Sequence, residues 1–279
     1  MPIIPQYFKQ LLKVYRRNIF YLLKKTVLNF FFQLTKMEYL INNINSVLEK
    51  YNSHMTYFVA AYILEGHPDR VAIFRNSKNI ALPHGYKHFN LQELTVNQAI
   101  QEIRRSKEIF ERSNLESWCF RAPYAMNSIS NLGKSKFYEV LKEIGFSHSS
   151  SEFQEDPPWK PINQVVPEFV MARPSDDLLI DLLGIWNPRV ITKHFIKSIR
   201  KTKGSIIIFD MHPIRMGQKK FIVALDAICK FVNKDANSIL IEFKKAVETY
   251  RKDQKENFVC ITGDIDTWSY IDYIRRLRK

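Results

Sequence analysis

Two histidines, His84 and His88, lie four residues apart in the segment Leu82–Phe89. On a turn or a short helix this spacing places both imidazoles on one side, where they can reach a single cation. Gly85, between them, lets the backbone bend closely around such an ion. The pair therefore predicts half of a metal site, although the spacing alone fits a chance pair of surface or core histidines equally well.

Three further segments stand around this pair. Met55–Val59 precedes it, and Arg121–Tyr124 and Ile208–Pro213 follow it. In order and spacing, these segments and the histidine pair resemble the polysaccharide deacetylase family, carbohydrate esterase family 4. The resemblance extends from about Thr35 to the C-terminus and is densest between Met55 and Tyr124.

The resemblance implies a role for each motif. His84 and His88 would bind a divalent cation, with zinc as the expected metal, a carboxylate as the third ligand and water in the open position. Such a cation polarises an amide carbonyl and acidifies water, as hydrolysis of an N-acetyl group requires. Arg121 would pair with the general base, and the backbone N–H of Tyr124 would stabilise the oxyanion.

His212 would be the general acid that protonates the leaving amine. We expect a carboxylate to orient it. Asp177 is the first candidate for that role and Asp210 the second.

One family element is missing from its expected place. The family opens with a strand that ends in two acids, a general base and a metal ligand, whereas the corresponding stretch here runs from Leu34 to Tyr39. One alignment puts Met37 at the base position and Glu38 at the metal-ligand position. A second alignment, to a variant Asp-Val-Glu pattern, replaces the base with Lys36. Both retain Glu38 as the third metal ligand and lose the base.

Composition limits the class of protein. With 279 residues, 46% of them hydrophobic, the chain can bury a large core, and no linker-like or repeated stretch divides it. The three cysteines are far apart, which argues against a disulfide framework or a cysteine zinc site and fits a reducing compartment.

The formal net charge is +14, and half of the excess lies in residues 1–37, which contain no acid. Apolar residues from Phe8 to Leu23 recur at helical spacing with basic residues largely opposite them. This pattern predicts an N-terminal segment, residues 1–33, that either lies on an anionic membrane or packs on the domain. A degenerate signal anchor is a third interpretation. The basic residues are Lys9, Lys13, Arg16, Arg17, Lys24, Lys25 and Lys36.

The longest charge-free run in this segment, Thr26–Thr35, is about half of the ~20 residues that a spanning helix needs. No convincing signal peptide is present, because Lys24 and Lys25 interrupt the apolar run. We therefore expect a cytoplasmic or membrane-associated protein. Nucleic acid is not an expected partner, since aromatic and basic residues are not interleaved.

Strand and helix patterns alternate along residues 34–279, which predicts an α/β fold with a parallel sheet. The resemblance implies the distorted (β/α)7 barrel of the family. The predicted strands are Val27–Thr35 (or a prolonged helix there), Thr56–Ala60, Asn79–Leu82, Trp118–Arg121, Ser147–Ser151, Phe169–Met171, Ile206–Asp210 and Phe258–Ile261. The clearest predicted helix is Thr95–Glu111, and a late helix is predicted over Ser238–Lys252.

Two functions follow from these observations. One is a metal-dependent hydrolase that removes an acetyl or formyl group from an amino sugar or polysaccharide. The other is a catalytically impaired relative that binds glycan or a membrane surface. The missing base separates them, because general-base catalysis contributes roughly 10²–10⁴-fold. A start other than the authentic one is a further explanation of the missing strand.

Overall fold

The computed structural model describes residues 31–32, 34–126, 133–162, 164–251 and 253–277. Its strands are short and parallel, and helices connect most of them. The predicted α/β class is therefore confirmed. The strands are β1 (Thr56–Val59), β2 (Ile80–Pro83), β3 (Cys119–Phe120), β4 (His148–Ser149), β5 (Phe153–Gln154), β6 (Met171–Ala172), β7 (Ile206–Asp210), β8 (Ser238–Leu240) and β9 (Asn257–Ile265).

The helices contribute their apolar faces to the core. They are α1 (Met37–Leu48), α2 (Pro68–Arg75), α3 (Val96–Arg112), α4 (Lys134–Ile144), α5 (Pro188–Arg200), α6 (Pro213–Met216), α7 (Ile222–Lys234), α8 (Phe243–Thr249) and α9 (Tyr270–Leu277). Helix α3 begins as its sequence predicts: Thr95 caps Gln98 N–H, and the Gln98 side chain returns a hydrogen bond to Thr95 N–H.

The main sheet has the order β2-β1-β9-β7-β6-β5, with β8 on β9. The pair β3–β4 stands between its two ends. On one side Arg121 N–H donates to Pro83 O at 3.2 Å, and on the other Phe169 N–H donates to Ser149 O at 2.7 Å. On this second side Ser149 N–H also donates to Pro167 O at 2.9 Å, so isolated hydrogen bonds rather than ladders link the pair to the main sheet, and the barrel is not continuously closed. The carboxyl ends of the strands face one mouth.

The chain's last strand, β9, lies at the centre of the sheet. It pairs with β1 through Thr56↔Thr262 to Val59↔Ile265, and with β7 through Ile206↔Phe258 to Asp210↔Thr262. Gly263 is required there, because an added Cβ would lie 2.1 Å from Met211 O. These pairings place the C-terminal strand β9 between β1 and β7.

One predicted element is wrong in part, one expected correspondence fails, and a third prediction stays untested. Helix α1, whose apolar face is buried from Met37 to Leu48, begins within the stretch Leu34–Tyr39 that was matched to the end of the family's opening strand. The predicted helix Ser238–Lys252 is instead strand β8 followed by helix α8. Most of the predicted N-terminal segment 1–33 and of strand Val27–Thr35 lies outside the described residues, so the boundary at residue 33 stays a prediction.

Candidate active site

The histidine pair lies in the loop that follows β2. His84 is almost fully buried, and its Nδ1 donates to the backbone carbonyl of Arg121 at 2.9 Å. A carbonyl can only accept, so this bond places the proton on Nδ1 and leaves a lone pair on Nε2. Burial also lowers the pKa of His84, which favours the neutral ring. The His84 and His88 ring centroids lie 4.8 Å apart.

The shape of this loop depends on its glycine. Gly85 has φ +73°, and a Cβ there would approach Pro123 Cγ at 3.1 Å. His88 and Tyr124 also adopt left-handed conformations, with φ 57° and 63°. Their rings pack together at 4.9 Å. The Arg121–Tyr124 segment is thereby held against the histidine loop, as the sequence motifs predicted.

Arg121 is fully buried at the centre of the mouth. Its guanidinium donates to Asp264 Oδ1 at 2.9 Å, to Asp210 Oδ1 at 3.3 Å and to Thr262 Oγ1 at 2.9 Å. It also stacks over the Phe58 ring, with Cζ 3.9 Å from the centroid. Two carboxylates and a stacked ring satisfy a cation that could not be buried alone.

Two acids, Asp264 and Asp266, stand beside the histidine pair. Both stand at the carboxyl end of β9, and their spacing of two places them on one face of the strand. Asp264 Oδ2 lies 3.3 Å from His84 Nε2, and Asp266 Oδ2 lies 4.0 Å from His88 Nε2. The signal was present in the sequence, as an Asp-x-Asp pattern ending a buried strand.

Glu38 does not stand where the sequence analysis expected it. It lies in the first turn of helix α1 rather than at a strand end. One of its carboxylate oxygens accepts a hydrogen bond from the Trp268 indole at 2.8 Å. The carboxylate that does stand beside His88 is that of Asp266. Lys36 and Met37 belong to the same helix start, so neither occupies a base position.

His212 follows β7 and is oriented by a buried carboxylate. That carboxylate belongs to Asp176, which accepts from His212 Nδ1 at 2.7 Å and from His212 N–H at 2.8 Å. The first candidate, Asp177, instead accepts from the Ser175 hydroxyl. Side chains of adjacent residues in a turn point in different directions, so Asp176 rather than Asp177 bonds to His212.

Asp210, the second candidate, lies on the opposite side of the same imidazole. Its Oδ2 is 3.9 Å from His212 Nε2. Burial and the neighbouring Asp264 raise the pKa of Asp210 to about 7. Burial opposes the charged imidazole, but Asp210 and Asp176 outweigh that effect and raise the pKa of His212 well above its ordinary value. His212 is therefore held in its proton-donating form.

The donor atoms of the mouth fit a divalent cation. Two sets of three, Asp210–His212–Asp264 and Asp176–Asp177–His212, have ligand atoms within 4.8 Å of one another among the described residues. The Arg121 guanidinium binds both acids of the first set, and His212 is charged in both, so each repels a cation. His84, His88 and Asp266 offer two imidazoles and a carboxylate, the donor types that zinc favours, but their ligand atoms do not all lie within 4.8 Å of one another.

Comparison with known proteins supports this fold. The sequence of residues 24–146 matches the family described as polysaccharide deacetylase. A solved structure described as a polysaccharide deacetylase from Mycobacterium smegmatis is similar with a TM-score of 0.62 at 18% identity, over 78% of this chain and 79% of that one. No protein with a curated description is similar enough to count as a match.

Two further solved structures share the fold. One, from Pseudomonas aeruginosa PAO1, is described as a polysaccharide deacetylase and has a TM-score of 0.54 at 15% identity, over 71% of this chain and 67% of that one. The other, a mutant of a Bacillus anthracis protein described as a carbohydrate esterase family 4 pseudoenzyme, has a TM-score of 0.50 at 15% identity, over 83% of this chain and 62% of that one. Residues 24–146 thus match the polysaccharide deacetylase family in sequence, and the chain shares the fold of the solved structures.

Proposed function

We propose that the protein is a metal-dependent hydrolase that removes an N-acyl group from an amino sugar within a glycan. The observation that carries this proposal is the contact of Asp264 with both Arg121 and His84. A carboxylate in that position can accept a proton beside the histidine pair, while His212 can donate one from the other side of the mouth.

The residues divide the reaction between them. A divalent cation held by His84, His88 and Asp266, with zinc as the expected ion, would supply Lewis acidity toward the acyl carbonyl oxygen. Asp264 accepts a proton from the attacking water as its oxygen adds to the carbonyl carbon. Arg121 holds the Asp264 carboxylate in place through its hydrogen bond at 2.9 Å.

Collapse of the tetrahedral intermediate breaks the carbon–nitrogen bond. His212 donates its Nε2 proton to the leaving nitrogen, and Asp176 stabilises the imidazolium beforehand. The backbone N–H of Tyr124 is the donor for the developing oxyanion. The products are a free amine on the sugar and a carboxylate such as acetate.

The test is acetate release from an N-acetylglucosamine oligomer by the full chain loaded with zinc. We expect release that stops on chelation and returns when the metal is restored. For the variant Asp264→Asn, the matched control is Asp226→Asn. Asp226 is a half-buried acid that contacts Lys50 and Tyr51 away from the mouth. A formylated oligomer tested in parallel distinguishes the two acyl groups.

The catalytically impaired relative is the alternative. Its basis is the absence of a base from the opening segment, a role that our proposal gives to Asp264 at the end of β9. A chain that binds the metal and the oligomer but releases no acetate or formate would favour the alternative and overturn our proposal.

A further inference from the structure

An apolar and basic surface forms where three segments of the chain meet. Phe32 stacks on Trp186 with ring centroids 6.0 Å apart, and Trp186 contacts Phe221 at 5.9 Å. Lys220 Nζ lies 4.9 Å from the Trp186 ring centroid. The Trp186 surface is defined here as the residues next to the Phe32, Trp186 and Phe221 rings along the chain. They lie in segments 31–36, 182–190 and 217–225.

Exposed apolar side chains concentrate on this surface. Leu183 is 58% exposed, Phe31 60% and Leu34 58%. Half of the large hydrophobic residues that are exposed in the described part of the chain lie within four residues of Phe32, Trp186 or Phe221. These six are Phe31, Leu34, Leu182, Leu183, Val190 and Val223. Scattered exposed residues need no explanation, but a concentration of this kind indicates an interaction site.

The charge of the surface has one sign. The three segments contain four basic residues, Lys36, Arg189, Lys219 and Lys220, and no acid. All four are exposed. An acid borders each segment and already has a partner: Glu38 accepts from Trp268, Asp181 from Arg215, and Asp226 from Lys50 and Tyr51. Apolar and cationic groups are therefore presented together.

The chain that precedes this surface has the same character. Residues 1–30 lead directly to Phe31 and contain basic residues, Lys9 to Lys25, with no acid. Their sequence predicts an amphipathic helix. The described surface and the preceding segment are thus continuous along the chain.

We propose that the Trp186 surface docks on an anionic lipid bilayer. Leucine and phenylalanine side chains insert at the interface, and lysine and arginine bind lipid headgroups, so both features of the surface are used by one partner. None of the described helices is long and apolar enough to cross a membrane. The proposal therefore concerns peripheral contact, and it does not depend on the hydrolase function.

Two other partners fit less well. A symmetric contact between two copies would place the same basic residues against each other, which repels. Single-stranded nucleic acid needs exposed aromatic faces for stacking, whereas Trp186 and Phe221 pack on each other and the exposed side chains are mostly aliphatic.

The experiment is co-sedimentation of the full chain with vesicles of phosphatidylcholine alone or mixed with phosphatidylglycerol. We expect binding to the mixed vesicles only. The double variant Leu182→Ser/Leu183→Ser should weaken it about tenfold, and Lys219→Gln/Lys220→Gln about fivefold per lysine at low salt. Val165→Ser/Ile239→Ser and Lys142→Gln/Lys234→Gln are matched controls that should bind as the wild type does.

Three results would overturn the proposal. Unchanged binding by both surface variants would assign any membrane contact to residues 1–30 alone. A wild-type dimer in sedimentation velocity that Leu182→Ser/Leu183→Ser dissociates would assign the surface to self-association. Binding to an oligonucleotide in preference to the mixed vesicles would assign it to nucleic acid. Circular dichroism and thermal unfolding of each variant verify that it is folded.

Discussion

The guanidinium of Arg121 donates to the carboxylate of Asp264 at 2.9 Å, across 143 residues of sequence. Arg121 follows the short strand β3, and Asp264 stands at the end of the last strand, β9. The contact brings the C-terminal strand's acids to the histidine loop that follows β2. It places a carboxylate beside two imidazoles although residues 1–37 contain no acid.

Asp264→Asn should separate catalysis from metal binding. The amide can still accept from Arg121 but cannot take a proton, so we expect deacetylation to fall roughly 10²–10⁴-fold. Asp266→Asn should instead remove stoichiometric zinc, since it takes away the third ligand. Metal content by mass spectrometry and acetate release measure the two effects. Full activity of Asp264→Asn would show that another group is the base.

Asp176→Asn should change the pH profile of kcat/KM. A general acid must be protonated, so activity falls as the pH rises through the pKa of His212. Loss of the Asp176 charge lowers that pKa, and the alkaline limb should move to lower pH by about one unit or more. Asp177→Asn is the control and should move the limb less, because its carboxylate bonds to Ser175 rather than to the imidazole. Equal shifts in both variants would contradict the assignment.

Gly85→Ala should weaken metal binding through the backbone. Gly85 and Gly66 both have positive φ, at +73° and +75°, but only Gly85 has a neighbour within 4 Å of an added Cβ. Both alanine variants incur the left-handed penalty of about 1 kcal/mol. Gly85→Ala must also displace Pro123, so we expect greater destabilisation and lower zinc affinity than in Gly66→Ala. Urea unfolding and zinc titration compare them, and equal values would show that the contact is tolerated.

Glu168 should make the protein less stable as the pH rises. This fully buried carboxyl accepts from the N–H groups of Ser151 and Glu152, yet burial raises its pKa to about 7 from 4.5. Between those values the folded state binds more protons than the unfolded state, so the free energy of unfolding falls with increasing pH. The loss amounts to about 3 kcal/mol, is complete above pH 7 and is absent below pH 4.5.

Glu168→Gln should remove that part of the pH dependence. Urea unfolding at pH 4.5, 6 and 7.5 measures it against the wild type. Glu143→Gln, an exposed change on helix α4, should retain the wild-type slope. A slope unchanged in Glu168→Gln would mean that Glu168 is ionised in the folded protein throughout this range.

The local sequence determined much of this site. Three features could be predicted from the sequence because each depends on residues close together in the chain. They are the histidine spacing, the Arg121–Tyr124 segment and the position of His212 after a strand. The same holds for helix α3, whose capping box is formed by Thr95 and Gln98. Hydrophobic periodicity and turn chemistry act over about ten residues, and within that range they predicted the parallel α/β class. The motifs were predicted from their resemblance to the polysaccharide deacetylase family.

The tertiary structure decided which acids join these motifs. Strand order depends on packing between distant segments, so no local pattern shows that β9 lies beside β1 and brings Asp264 and Asp266 to His84 and His88. Likewise, Glu38 was displaced because residues 37–48 bury an apolar helical face. Asp176 rather than Asp177 orients His212, because the direction of each side chain in a turn is fixed only once the core has packed around it.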